Sequence, residues 1–378
     1  MKPFEHWMKS MDSAVDLTAF RNPERADRIL KRLKNEITRP WVIMEMCGGQ
    51  THALMQSGID QLLASQIEFI HGPGCPVCVT SLALVDEAIA LAKLPNVILT
   101  TYGDMLRVPG SAGNLFAARA QGCDIRVVYA ALDALKIARE NPDKEVVFFG
   151  IGFETTAPAN GISILQAYRT GIRNYSVLVS QVCVPPALEM ILSSPQNRVQ
   201  GFLAAGHVCA VMGTSEYIPI SEKYHVPICV TGFEPIDLLA GIETVVRDLE
   251  AGCWSVSNAY SRGVPAAGTA GALAIIHELF EPCDRDWRGI GIIPDSGWKL
   301  KDKYSAYDAE KKFGVTATET HESDVCIAGA ILRGLKTPPE CPAFAASCTP
   351  EHPLGAAMVS GEGTCSAYYR YRRNHDRA

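Results

Sequence analysis

Thirteen cysteines are spread along the 378 residues, and seven of them fall into three groups that point to different thiol chemistry. Cys47 stands alone in Met46-Cys47-Gly48-Gly49-Gln50-Thr51-His52, Cys75 and Cys78 form a Cys-Pro-Val-Cys pair, and Cys326, Cys341, Cys348 and Cys365 are scattered towards the C-terminus. A lone thiolate is a nucleophile or a soft metal ligand, and a close dithiol exchanges electrons as a disulfide. Four converging thiolates can hold an iron–sulfur cluster or zinc. The pattern is that of a metal and redox protein.

The segment after Cys47 predicts a helix beginning near Thr51. If its N-terminus faces the sulfur, the thiol pKa is expected to fall, making Cys47 available as nucleophile or metal ligand. His52, one turn into that helix, is a candidate base, ligand or hydrogen-bond donor to a ligand. The alternative for Cys47 is a buried structural thiol. Cys75-Pro76-Val77-Cys78 follows a strand-like segment and opens a helix, the setting in which C-x-x-C is a redox motif. Half of a zinc site is the rival, without a second close pair nearby. The quartet has fourteen, six and sixteen intervening residues. It lacks the close pairs of zinc ribbons and the run of bacterial ferredoxins, so spacing leaves a cluster and scattered structural thiols both open. Glu154, in Gly152-Phe153-Glu154-Thr155-Thr156, is a candidate catalytic or cleft-facing acid, with helix capping as the alternative; Glu234 and His207 carry the same pair of readings. Cys123, Cys183, Cys209, Cys229, Cys253 and Cys283 read as core thiols.

Short apolar or β-branched segments recur at Trp41–Met46, Ile67–Ile70, Val97–Thr101, Ile125–Tyr129, Val146–Phe149, Ser176–Val179, Gly201–Ala205 and Val226–Val230, separated by helix-like stretches such as Ser81–Lys93. This rhythm predicts an α/β fold with parallel sheet covered by helices. A closed barrel or two doubly wound sheets would both satisfy it. The expected division is an N-terminal helical arm over 1–40, α/β domains over 41–143 and 144–258, and a separate cluster-bearing region over 259–378, with approximate boundaries across which α/β domains often exchange segments. In either architecture the chemistry belongs at the carboxyl ends of the strands, where Cys47, Cys75, Glu154, His207 and Glu234 lie.

A net charge of -6 and a pI near 5.9 give no basic footprint for nucleic acid, and Tyr369-Arg370-Tyr371-Arg372-Arg373 reads as a solvated tail. The longest apolar stretch, Val264–Ile276, contains Pro265 and is too short to span a membrane. No apolar leader follows Met1, so a cytoplasmic location with reduced thiols is expected, and a disulfide framework is the poorer explanation of the cysteines. No G-x-x-x-x-G-K-[ST] occurs, which leaves nucleotide hydrolysis without a motif.

Taken together, Cys47-Gly-Gly-Gln-Thr-His52, Gly72-Pro-Gly-Cys-Pro-Val-Cys78, Gly152-Phe-Glu-Thr-Thr-Ala-Pro158, Gly206-His-Val208, Gly232-Phe-Glu-Pro235 and Met358-Val-Ser-Gly-Glu-Gly-Thr-Cys365 closely resemble the HypD family of [NiFe]-hydrogenase maturation factors. The resemblance spans roughly residues 40 to 370, in the family's order. It implies two Rossmann-like parallel-sheet domains plus a C-terminal iron–sulfur cluster region. It further implies a scaffold on which a transient Fe(CN)2CO unit is built, with a HypC-like chaperone and a HypE-like cyanide donor as partners and the hydrogenase large subunit as eventual recipient. On that likeness Cys47 is the iron ligand with His52 beside it, Cys75 and Cys78 relay electrons, and Cys326, Cys341, Cys348 and Cys365 hold a [4Fe-4S] cluster. The chain departs from the family's usual pattern at Gln50, where histidine is common, at Ala205 in place of proline, and at Ala357, often cysteine. A free-standing iron–sulfur protein-disulfide reductase is the alternative function.

Overall fold

The protein, as a computed structural model, is described over residues 17–316 and 320–372. The expected absence of an apolar leader and the first part of the N-terminal arm concern residues outside these. The described part of the arm is a short 3-10 turn and the helix Pro23–Glu36, opened by Asn22, whose side chain accepts from the Arg25 N–H at 2.9 Å.

Eleven strands are described: β1 Trp41–Glu45, β2 Ile67–His71, β3 Val97–Thr101, β4 Ile125–Val127, β5 Glu145–Gly152, β6 Tyr175–Val182, β7 Gly201–Ala205, β8 Ile228–Thr231, β9 Val256–Asn258, β10 Phe280–Trp287 and β11 Gly291–Leu300. The first eight coincide with the eight apolar segments of the sequence. They form two sheets rather than a barrel, in the orders β2-β1-β7-β8-β9 and β10-β11-β6-β5-β3-β4. The first sheet is parallel throughout, and β3 to β6 of the second are parallel. β3, β6, β7 and β8 are buried at every residue, as strands covered on both faces must be.

The sheets do not follow the expected division of the chain. β1 and β2 leave the stretch 41–143 to pair with β7 to β9, whereas β3 and β4 join β5 and β6. Each sheet therefore takes strands from both stretches. Residues after 258 do not stand apart either. The hairpin β10–β11 continues the second sheet antiparallel to β6 through Gly297 and Trp298, which face Val182 and Gln181. Its polar alternation hides it: Phe280 and Trp287 are buried at the ends of β10, with charged residues and Pro282 between them. Tyr369–Arg372 is docked rather than a solvated tail. It ends the helix Thr364–Tyr371, where Arg372 makes a bidentate ion pair with Asp60, both side chains being mostly buried.

In each sheet the strand order reverses direction once, between β1 and β7 in the first and between β3 and β5 in the second. Such switch points leave a crevice at the carboxyl ends of the strands, because successive crossover helices pass to opposite faces.

Candidate metal and redox site

Cys47 follows β1 and His207 follows β7, so both stand at the switch point of the first sheet. The Cys47 sulfur lies 3.9 Å from His207 Nδ1 and 4.0 Å from Nε2. Cys47 is the N-cap of the helix Gly48–Ser57, which begins three residues earlier than the sequence suggests because Gly48 and Gly49 join its first turn. Gly49 leaves room there for the Phe233 ring, which a Cβ would approach to 3.2 Å, and Phe233 in turn packs on His207 with ring centroids 5.3 Å apart. Gln50 spans the crevice, donating to the Ala204 carbonyl at 3.1 Å and to Thr231 Oγ1 at 2.6 Å.

The expected fall in the Cys47 pKa is not what the structure gives. Burial, together with the nearby carboxylates of Glu362 and Glu45, pushes the thiol up, and the N–H groups of Gly49 and Gln50 offset this only in part. A helix end of this kind stabilises the thiolate by a modest amount, whereas stripping water from it costs several times more. A metal cation at the sulfur would supply the missing positive charge and displace the proton. Burial holds His207 down at about 4, so its imidazole is neutral and has a free ring nitrogen to offer.

Glu45, the last residue of β1, organises the surroundings and was not singled out by sequence reasoning. Its fully buried carboxylate accepts from the Cys47 N–H at 2.8 Å, from His71 Nδ1 at 2.7 Å, and from the Thr51 hydroxyl. The signal was present as an acid closing an apolar strand, Trp41-Val-Ile-Met-Glu45, since a carboxylate is rarely fully buried without partners. His52, by contrast, turns to Tyr371, 3.3 Å from its hydroxyl, and burial with Arg370 nearby lowers its pKa. The imidazole against the sulfur is that of His207.

Cys75 and Cys78 are joined as a disulfide and both are buried. Cys75 caps the single turn Pro76–Val79, and its sulfur accepts from the Cys78 N–H at 3.3 Å. The loop before it lies directly on Cys47. A Cβ on Gly74 would stand 2.4 Å from the Cys47 Cα and N, and the Gly74 carbonyl accepts the Gly48 N–H at 3.1 Å.

The segment Ala357–Cys365 closes the arrangement. Glu362 lies against Gly48, where a Cβ would come within 2.2 Å of its carbonyl oxygen, and a Cβ on Gly363 would sit 3.1 Å from the Cys78 sulfur. Cys365 opens the next helix, and its thiol is pushed up by burial and by Cys326, Cys348 and Cys341 together. Those four thiols are thus within electrostatic reach of one another, and all are free. Cys78 and Cys326 also line one small cavity of about 30 Å³. Among the described residues no three His, Cys, Asp or Glu side chains are arranged to hold a single metal ion. A cluster holds its thiolates farther apart than one ion does, and four free, mutually close cysteines are the donor set it takes.

Glu154 belongs to a different neighbourhood. It accepts the Val184 N–H at 2.7 Å at the start of the helix Val184–Ser193, and burial raises its pKa to about 8. Glu234 stands at the N-cap position of the helix Pro235–Ala251, but its side chain pairs with Arg21 at 2.5 and 2.9 Å instead of capping the helix.

Fold and site define a two-sheet α/β protein whose thiols gather at the strand ends, around one isolated cysteine. A family model, HypD, described as the hydrogenase formation hypA family, matches residues 24–372. The chain is 46% identical to the hydrogenase maturation factor HypD of Rhodobacter capsulatus over 364 residues, 93% of this chain and 97% of that protein. It is 43% identical to that of Azotobacter vinelandii, covering 94% and 96%, and 42% identical to that of Escherichia coli strain K12, covering 95% and 98%. The chain belongs to the HypD family, as its motifs suggest, and its role lies in hydrogenase maturation. None of its described helices is long and apolar enough to cross a membrane.

Proposed function

We propose that the crevice between β1 and β7 holds an iron atom as cargo while its cyanide and carbonyl ligands are attached, with the Cys47 thiolate as the protein's ligand. Low-spin iron carrying such ligands favours a soft thiolate donor, and the neutral imidazole of His207 is positioned to donate to the iron or to accept a hydrogen bond from a bound group. Glu45 fixes the Cys47 backbone through its N–H, so the sulfur is presented in one orientation. A HypC-like chaperone would complete the open side, a HypE-like protein would bring cyanide, and the hydrogenase large subunit would receive the finished unit. The work would take place in the cytoplasm.

Releasing cyanide from a thiocyanate consumes two electrons, RSCN + 2e⁻ → RS⁻ + CN⁻, and oxidation of the Cys75/Cys78 dithiol to its disulfide provides two electrons and two protons. A [4Fe-4S] cluster on Cys326, Cys341, Cys348 and Cys365 would supply electrons to restore the dithiol. The observation that supports this reading best is the segment Ala357–Cys365, which touches Gly48 beside the proposed iron ligand, touches Cys78, and carries one cysteine of the quartet.

The test is infrared spectroscopy of the anaerobically purified protein with its small chaperone. Carbonyl and cyanide stretches are expected in the wild type and are expected to vanish in Cys47→Ala while iron and sulfide content stays unchanged. Retention of the bands in Cys47→Ala would remove the ligand assignment. A sample containing cluster but no bands, with disulfide reductase turnover that is lost in Cys75→Ser, would establish the free-standing reductase instead.

A further inference from the structure

Glu154 lines a cleft of about 500 Å³ that the thiol site does not use. Three elements enclose it: the helix Val184–Ser193, the helix Tyr217–Tyr224, and the hairpin β10–β11 through Pro282, Asp295 and Trp298. Glu154 is 1% exposed. One of its oxygens is satisfied by the Val184 N–H, but Oε2 is buried without a hydrogen-bond partner among the described residues. Leaving a carboxylate oxygen unpaired in the interior costs about 1–3 kcal/mol or more, so an external donor at this position has a ready gain.

The chemistry around that oxygen narrows what the donor can be. Glu216, Glu189 and Asp295 stand around the cleft, and the one cation among its described lining residues, Lys223, is already held by Glu189 at 2.5 Å. Acidic side chains outnumber basic ones in that lining, which favours a positively charged guest. Between rim and floor the walls are apolar, formed by Pro185, Pro186, Pro219, Met212 and Ile220. Such walls suit an aliphatic stem and would be wasted on a hydrated metal ion.

We infer that this cleft binds an organic cation, an ammonium or guanidinium on an aliphatic stem, with its head on Glu154 and its stem against the proline and methionine walls. Without a guest, burial holds the Glu154 pKa near 8, so the carboxyl is mostly protonated at neutral pH, and an incoming cation would allow it to ionise. The inference stands on the Glu154 geometry alone and is independent of the role of Cys47.

Isothermal titration of the full chain with agmatine, which carries a guanidinium and an ammonium, and with N-butylurea, an uncharged analogue of its guanidinium end, tests this. Agmatine is expected to bind the wild type about tenfold more tightly than N-butylurea, because only the charged head gains the ionised carboxyl. Glu154→Gln, which keeps an oxygen for the Val184 N–H, is expected to weaken agmatine by about tenfold. Glu216→Gln, at the rim, is a second variant that leaves the buried floor intact, and is expected to weaken it about threefold. The peptide acetyl-Gly-Arg-Gly-amide separates the sources. Binding as tight as agmatine means the cation arrives on a docking polypeptide, and agmatine binding with the peptide excluded means a free amine. No heat of binding with agmatine, equal affinity for N-butylurea, or unchanged affinity in both variants would overturn the inference.

Discussion

Glu45 and His71 are direct partners in the parallel ladder between β1 and β2, and their side chains meet at 2.7 Å in the interior. The pair ties together the strand that leads to Cys47 and the strand that leads to the Cys75–Cys78 turn. Because the same carboxylate also accepts from the Cys47 N–H and the Thr51 hydroxyl, one side chain sets the spacing of both thiol motifs.

Glu45→Ala should therefore lower stability by roughly 3 kcal/mol, since it leaves several buried donors unpaired at once. Urea unfolding of the two proteins gives the difference directly. A loss below about 1 kcal/mol would mean that the network is dispensable.

Gly74 tolerates no side chain, because a Cβ there would meet the Cys47 backbone at 2.4 Å. Backbone cannot move aside as a flexible side chain can, so Gly74→Ala should cost about 1–3 kcal/mol and displace Cys47. In a strain lacking its own copy, the variant should support little hydrogenase activity while still accumulating as folded protein. Full activity would show that the approach of the two loops is incidental.

The buried Glu154 makes a prediction about pH. Its pKa rises from 4.5 to about 8 on folding, so over that interval the native chain holds a proton that the unfolded chain has released. Stability from this group is present below the unfolded value and is lost as pH rises through the folded one, at a slope approaching about 1.4 kcal/mol per pH unit. Glu154→Gln has no such proton. The stability of the variant relative to wild type should accordingly grow between pH 5 and pH 8, and parallel curves would show that Glu154 does not titrate in this way.

The regular elements were legible where the chain is apolar on both strand faces. Each segment from Trp41 to Val230 that reads as a strand is one, because a strand covered by helices on both sides must be apolar along its length. The hairpin escaped because Glu281, Asp284 and Asp286 give β10 a polar rhythm that resembles a loop. Which strands share a sheet was not legible either. Nothing in the composition near Leu62–Val97 marks the passage from one sheet to the other. In the site, cysteines and glycines stood out by type, whereas Glu45 and His207 owe their importance to what they touch. His52 lay near Cys47 in sequence, but the helical turn carries its ring to Tyr371, and the contact with the sulfur falls to His207, just after β7.

The chain passes from one sheet to the other three times, after β2, after β6 and after β9. During synthesis the first two strands must wait, with one flank unpaired, until β7 has been made more than a hundred residues later. Contacts of such long sequence separation form slowly and leave open strand edges in the meantime. The nascent protein is therefore expected to depend on chaperones. Cutting the gene at any single point between β3 and β9 should yield two fragments, neither of which contains a complete sheet.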